Sequence, residues 1–448
     1  MVKKRIVTIL SFIIFFLTYY FSINSKTYWW DEAVYLGLAK NLAKKFSYFI
    51  NYQFPEKLTN YYGYKLVIDE SFRQPLFPFL LSIFYFLGEK FQRILPPIFA
   101  SLSIFLTFKL GKKIKDENLG LISAIFLSIS PLFLFFSSKI LTESLSSFLI
   151  VSFFYFLISY KNDFKSFFFS SFFLSLSILT RYTNFILSLP FLLVFLKYKN
   201  IKHLFLAIIV AFLVFLPFLL FSYYRYGNPF EAIIISFKEA STKKYYQEPF
   251  YFYFINLVPI FGLPILFSFF TKLKKENKIL IFTVILIFLS FSILSRKEFR
   301  YLVPYFPLFY IASSLGLVNL EKSKKIWLIV LVIILLQIYP CYNLLTIKED
   351  NSIVLISNFL KDKVSEDDFV IAENYPVLNY LTGAKVLPYP SSIENFYKLL
   401  EIFKPKFAVI DKEITLPEYA KELEKYGFKK IYEINEIKVL KIENFNNN

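Results

Sequence analysis

Four clusters of charged residues lie where long apolar runs end, and their types suit chemistry at a membrane margin. The first is Asp31-Glu32, preceded by Tyr28-Trp29-Trp30 and followed by Tyr35. A carboxylate there could serve as a general base, with the aromatic residues as an interface belt or a platform for a sugar ring. Asp31 and Glu32 could equally cap a helix that starts beside them. The second is Glu143, in the tight turn Lys139-Ile140-Leu141-Thr142-Glu143-Ser144. Ionisable groups are costly at the edge of the hydrocarbon, so Glu143 is a functional candidate, with a pair to Lys139 or helix capping as its alternatives. The third is the short segment Arg296-Lys297-Glu298-Phe299-Arg300. Arg296 and Arg300 are spaced i, i+4 and would share a face if the turn were helical. The fourth is spread along the chain: only seven of the 51 basic residues are arginine, at 5, 73, 93, 181, 225, 296 and 300. A guanidinium grips phosphate with a planar fork that lysine lacks. Arg73, Arg181, Arg296 and Arg300 are therefore candidate phosphate ligands, against the alternative of single arginines snorkelling at helix ends.

Composition excludes several other chemistries. One Cys (Cys341) and one His (His203) allow neither an internal disulfide nor a His/Cys metal cluster. No cofactor is called for, and a divalent cation, if one is used, would have to be held by carboxylates. Ten glycines in 448 residues leave no room for a glycine-rich phosphate loop, and neither GxGxxG nor GxxxxGK[ST] occurs. The net charge of +18 does not indicate nucleic acid, because most lysines sit in short loops between apolar runs.

The elements that must position these residues are mostly membrane helices. The chain is 56% apolar, with 60 Phe and 33 Tyr and a mean hydropathy of +0.52. Runs long enough to span a bilayer occur near 4–23, 92–111, 118–137, 142–160, 164–180, 181–197, 203–224, 251–271, 278–295, 301–319 and 326–345. A shorter, Pro-flanked run at 75–87 reads as interfacial or re-entrant. The first run follows Lys3-Lys4-Arg5 and reads as a signal anchor. Residues 30–45 read as an amphipathic helix on the membrane surface. With the N-terminus inside, the inner loops hold nineteen Lys and Arg and the short outer turns five. That bias places the N-terminus in the cytoplasm of a multi-pass plasma-membrane protein. Outer loops would cover 24–91 and 225–250, and six of the seven arginines would face outward. From 349 onward charges become frequent and short apolar strands alternate with amphipathic stretches, as in a small extracytoplasmic α/β domain. The fold class expected is therefore a mainly α, polytopic helical membrane protein of about eleven spans. Residues 1–348 would form the membrane domain and 349–448 the soluble one.

These segments together resemble the GT-C class of membrane glycosyltransferases, above all glycosyltransferase family 39 and its relatives, the protein O-mannosyltransferases and lipid A aminoarabinose transferases. The carriers are Trp30-Asp31-Glu32-Ala33-Val34-Tyr35, Arg73-Gln74-Pro75-Leu76-Phe77-Pro78, Leu141-Thr142-Glu143-Ser144, Leu179-Thr180-Arg181-Tyr182, Tyr226-Gly227-Asn228-Pro229 and Lys297-Glu298-Phe299-Arg300-Tyr301-Leu302-Val303-Pro304. The chain departs from the family where Gln74-Pro75-Leu76 stands in place of Pro-Pro-Leu. The resemblance implies a sugar donor on polyprenyl or dolichyl phosphate, a protein, lipid or glycan hydroxyl as acceptor, and an inverting transfer. Asp31 would act as base with Glu32 beside it, Glu143 would be the second acidic position, and Arg296, Arg300, Arg181 and Arg73 would meet the donor phosphate. Trp30 and Tyr35 would contact acceptor or sugar. Two other readings compete. An oligosaccharyltransferase-like enzyme would carry its Trp-Trp-Asp in a C-terminal domain rather than at 29–31. A transporter or flippase of lipid-linked glycans would show internal repeats and charges within spans, and neither is evident here.

Overall fold

The computed structural model describes residues 2–51, 68–242, 247–321, 323, 325–411 and 416–442; the side chains of 240–242 are not described. Parts of both expected outer loops (52–67 and 243–246), and Lys322 and Lys324 of the last inner loop, fall outside these residues. The chain divides into two compact units. One comprises Met1–Asn24, Phe72–Phe77 and Glu89–Ile347, and the other Ser25–Ser71, Pro78–Gly88 and Lys348–Asn448.

The first unit is helical. Five helices are long and apolar enough to cross a membrane, among them Val2–Ile23, Ile201–Tyr226 and Ile326–Leu345. The pair Glu117–Ser128 and Pro131–Ser137 is long and apolar enough only when taken together, as one broken span or a re-entrant loop, and is bent by 65° where Pro131 denies the ladder a backbone donor. Glu143–Ser159, Phe164–Thr180 and Lys278–Ile293 are shorter apolar helices. Each of the eleven apolar runs is helical, but 251–271 is broken. Phe252–Ile255, Leu257–Phe261 and the 3-10 segment Leu263–Phe270 replace one continuous helix, because Pro259, Gly262 and Pro264 interrupt the i→i−4 ladder.

Small residues allow close crossings between these helices. A Cβ on Gly120 would lie 2.3 Å from the Phe108 carbonyl oxygen, so the turn at Gly111–Gly120 packs backbone on backbone. Gly316 is tighter still, with a hypothetical Cβ 1.7 Å from the Phe267 oxygen. Hydroxyls inside helices donate to their own preceding turn, as Thr107 does to Ser103 O, Ser123 to Leu119 O and Ser175 to Ser171 O, which satisfies them where no water reaches. The lone histidine is part of the packing: His203 Nδ1 hydrogen-bonds the Tyr160 hydroxyl at 2.8 Å among Phe167 and Tyr198. The lone thiol, Cys341, donates to Ile129 O.

The second unit is built on a five-stranded sheet. Strands β1 (Phe369–Ile371), β2 (Lys385–Leu387), β3 (Phe407–Ile410), β4 (Lys429–Ile434) and β5 (Ile437–Lys441) lie in the order β2-β1-β3-β5-β4. The first three are parallel, and β5 runs antiparallel to both β3 and β4. Asn435 and Glu436, both at positive φ, close the β4–β5 hairpin as a type I′ loop requires. The edge of β2 is covered by one side chain. Asn51 accepts the Val386 N–H at 2.6 Å and donates to its carbonyl at 2.7 Å, which blunts an otherwise open strand edge.

The helix Trp30–Lys45 belongs to this unit and is not an amphipathic surface helix. Residues 32–39 are buried in sequence, and the helix packs on Tyr375–Thr382. Ala33-Val34-Tyr35-Leu36-Gly37-Leu38-Ala39 is apolar all round, and a helix of that kind seeks protein on every side; only its Lys-rich end carries a polar face.

Candidate functional site

Four of the sequence-selected residues converge in the first unit. Glu143 is the first residue of the helix Glu143–Ser159, where the dipole favours an anion. It is 1% exposed and its Oε1 takes a hydrogen bond from Arg181 Nη1 at 2.8 Å. Arg181 follows the helix Phe164–Thr180, and the same Nη1 reaches Thr142 Oγ1 at 3.2 Å. Glu143 therefore pairs with Arg181 rather than serving only as a cap. The other carboxylate oxygen, Oε2, is buried and accepts no hydrogen bond among the described residues. An orphaned acceptor of this kind is costly in a low-dielectric setting, and it is available to a donor group such as a hydroxyl.

Tyr301 links this pair to the arginine cluster. The Arg181 guanidinium lies 5.9 Å from its ring centre, and its hydroxyl donates to Glu298 Oε1 at 2.7 Å. Arg296 donates to the same oxygen through Nε at 3.1 Å and Nη2 at 2.6 Å, and Arg300 Nε donates to Oε2 at 2.7 Å. Tyr253 OH holds the Glu298 backbone carbonyl at 3.0 Å. Burial opposes ionisation of Glu298, but Arg300, Tyr301 and Arg296 outweigh it and hold the carboxyl below the usual range. Arg296 and Arg300 thus meet through Glu298, not by helical spacing. Arg296 is in an extended bridge with Gln247, and the 3-10 segment begins only at Phe299. The sequence offered Glu298, between the two arginines, as an orienting partner for one of them; the structure has it holding both, with Tyr301 on the same carboxylate. These contacts bring three guanidinium groups to two carboxylates, which pre-orient their forks. Arg73, on the segment Phe72–Phe77 of this unit, lies over the Phe72 ring at 5.6 Å.

The remaining candidates belong to the second unit. Glu32 is fully buried, and its Oε2 accepts the Trp29 N–H at 2.9 Å, which caps the first turn of Trp30–Lys45. Asp31 is half-buried on that turn. Trp30 packs edge-on against Tyr375 at 4.7 Å, and the Tyr375 hydroxyl donates to Glu70 Oε1. Trp29 Nε1 donates to Glu349 Oε1 at 2.8 Å, and Thr27 also bonds Glu349. Tyr35 is buried within the helix packing. Sequence reasoning passed over Asp69 and Glu70, both almost fully buried. Their adjacency to Arg73 in Asp69-Glu70-Ser71-Phe72-Arg73 was the available signal. Among the described residues no three His, Cys, Asp or Glu side chains group closely enough to hold a metal ion.

The sequence model of the Alg9-like mannosyltransferase family matches residues 7–392. The chain belongs to that family. It is a multi-pass membrane glycosyltransferase of the GT-C class, the class its motifs resemble; within the class the matching model is the Alg9-like one. Solved structures share the fold. ArnT from Cupriavidus metallidurans bound to undecaprenyl phosphate superposes with a TM-score of 0.70 at 11% identity, covering 97% of each chain. The Archaeoglobus fulgidus oligosaccharyltransferase in its apo form gives 0.65 at 16% identity, over 91% of this chain and 69% of that one. The oligosaccharyltransferase AglB from the same organism, in complex with an inhibitory peptide and a dolichol-phosphate, gives 0.60 at 14%. No curated protein sequence matches.

Proposed function

We propose that this glycosyltransferase moves a sugar from a polyprenyl- or dolichyl-phosphate donor to a hydroxyl of a protein, lipid or glycan on the extracytoplasmic side of the membrane, with inversion. The observation that carries this reading is the part-buried Glu143–Arg181–Tyr301–Glu298 network, in which three guanidinium groups are held in place by two carboxylates. A lipid-linked sugar phosphate is already activated, so the protein needs to stabilise a departing phosphate and take one proton. Arg181, Arg296 and Arg300 would stabilise the phosphate as the anomeric C–O bond breaks, with Glu298 and Glu143 fixing their forks. Asp31 would remove the proton from the acceptor hydroxyl as its oxygen attacks the anomeric carbon. The carrier lipids of the two superposed structures, undecaprenyl phosphate and dolichol-phosphate, support the same donor class.

Steady-state transfer from a defined polyprenyl-phosphate sugar in nanodiscs tests it. Asp31→Asn should abolish turnover while leaving the melting profile unchanged. Arg296→Lys or Arg300→Lys keeps the charge and loses the fork, and should lower kcat/KM about 10- to 100-fold, the equivalent of one charge-assisted hydrogen bond. Alanine should be worse. Near-normal turnover of Asp31→Asn would remove Asp31 as base, and normal kinetics in both alanine variants would remove the arginines as phosphate ligands.

A further inference from the structure

The turn that carries Arg296 and Glu298 has a second face. Residues 295–297 run extended against 247–248: Gln247 pairs with Arg296, and the Glu248 N–H donates to Ser295 O at 3.1 Å. Alternate side chains of an extended segment point to opposite sides. Arg296 and Glu298 meet each other on one side, while Ser295 and Lys297 line a shallow, open cavity of about 320 Å³ on the other, with Gln247, Glu248, Phe250 and Ile293 at its exposed rim. Lys297 is 3% exposed, and its ammonium donates to Glu248 O at 2.6 Å and Leu294 O at 2.5 Å. Those carbonyls use two of its three hydrogens. Lys297 and Glu248 both line the cavity, a cation suited to an anion beside a carboxylate suited to a cation.

A track leads away from this cavity. On the helix Lys278–Ile293, Phe282, Ile285, Leu289 and Ile293 are exposed at spacings of three, four and four, one stripe of the helix surface. The stripe is about 17 Å long at 1.5 Å per residue. One leaflet of a roughly 30 Å hydrocarbon core is about 15 Å deep. The apolar track therefore matches a single leaflet and ends at a pocket with one cationic and one anionic wall.

We infer that this cavity binds the headgroup of a zwitterionic phospholipid carrying a primary ammonium, with phosphate at Lys297, ammonium at Glu248 and an acyl chain along Phe282–Ile293. Lys297 alone would accept any phosphate. Glu248 repels a headgroup that is only anionic and accepts hydrogen bonds from a primary ammonium, which a quaternary one cannot give. The occupant is thus separate from the sugar donor, and its binding does not depend on the transfer reaction.

Native mass spectrometry of the full-length protein, exchanged from detergent into phosphatidylethanolamine, phosphatidylcholine or phosphatidylglycerol, is the test. Phosphatidylethanolamine should be retained about tenfold more tightly than the other two, and Glu248→Gln should remove most of that preference. Lys297→Met should weaken all three lipids; because Lys297 also ties two carbonyls, Glu248→Gln, an exposed position, decides the matter if that variant does not fold. Equal retention of phosphatidylcholine or phosphatidylglycerol by the wild type, or an unchanged preference in Glu248→Gln, overturns the assignment. Free glycerophosphoethanolamine should compete poorly, since it lacks the chain. Competition as strong as that of the lipid would make the occupant a soluble phosphate ester and overturn the lipid site.

Discussion

Two adjacent carboxylates at the start of one helix have separate work in this protein. Glu32 is fully buried and holds the Trp29 N–H, so its role is to start the helix. Asp31, half-buried on the same turn, is the residue proposed to take the proton. Glu32→Ala should therefore lower stability by about 1–2 kcal/mol, a capping contribution, and reduce transfer only in proportion to folded protein. Asp31→Asn should do the reverse. Thermal unfolding and transfer measured on the same two samples check the split; a Glu32→Ala protein that melts normally but does not transfer would exchange the assignments. Part of the charged network was legible beforehand. Glu143 and Arg181 stood out because ionisable groups at a hydrocarbon margin need a partner, and the structure pairs them. Glu298 was legible as an orienting partner for one arginine, but its hold on both was not, since Arg296 lies in an extended bridge to Gln247, 49 residues away in sequence, rather than in a helical turn. Asp69 and Glu70 were missed for a like reason, as nothing local says that a polar loop will be buried.

At the scale of elements, the apolar runs marked where helices lie but not how they pack. Run 251–271 is long enough for a span, yet its prolines and Gly262 divide it into short pieces. The segment 30–45 looked amphipathic because its lysines recur at helical spacing, but they cluster at its C-terminal end while 32–39 is buried throughout. In the soluble unit the strands and most helices were legible from period and composition, while the helix Tyr375–Thr382 was not, since Pro376 and Gly383 bracket it within eight residues. Close approach is the least legible feature. Gly316 reads as an indifferent glycine in an apolar run, yet it admits the Phe267 carbonyl where a Cβ would lie at 1.7 Å. The obstacle is backbone, which cannot rotate away, so Gly316→Ala should cost about 1–3 kcal/mol or more, the usual penalty of overpacking. Its higher helix propensity would return only about 1 kcal/mol. A lower melting temperature in detergent with unchanged helical content checks this, and an equally stable variant would show that the crossing can open.

For the whole molecule, contacts inside the second unit constrain topology. Asn51 bonds β2, Trp29 bonds Glu349 and Glu70 bonds Tyr375, so residues 25–51 and 68–71 must lie on the same side of the membrane as residues 348–442. The chain between Ser71 and Lys348 therefore crosses an even number of times. The helix Val2–Ile23 adds one crossing before it, which puts the N-terminus opposite the soluble domain. The excess of nineteen basic residues to five in the loops read as inner is the ground for the proposed sign, with the N-terminus cytoplasmic and the C-terminal domain outside. An impermeant maleimide reads this directly, and the position for the cysteine matters. Ala420 is fully buried and would stay silent in either orientation, whereas its neighbour Lys421 is exposed. With Cys341 replaced by alanine to remove the native thiol, Lys421→Cys should label in intact cells, and a cysteine at exposed Lys112, in an inner loop, should label only after lysis. Labelling of Lys112→Cys in intact cells with protection of Lys421→Cys would invert the protein and put the proposed transfer on the cytoplasmic side. Labelling of both, or of neither, in sealed cells would put Lys112 on the same side as the soluble domain and refute a single crossing by Glu89–Ile114.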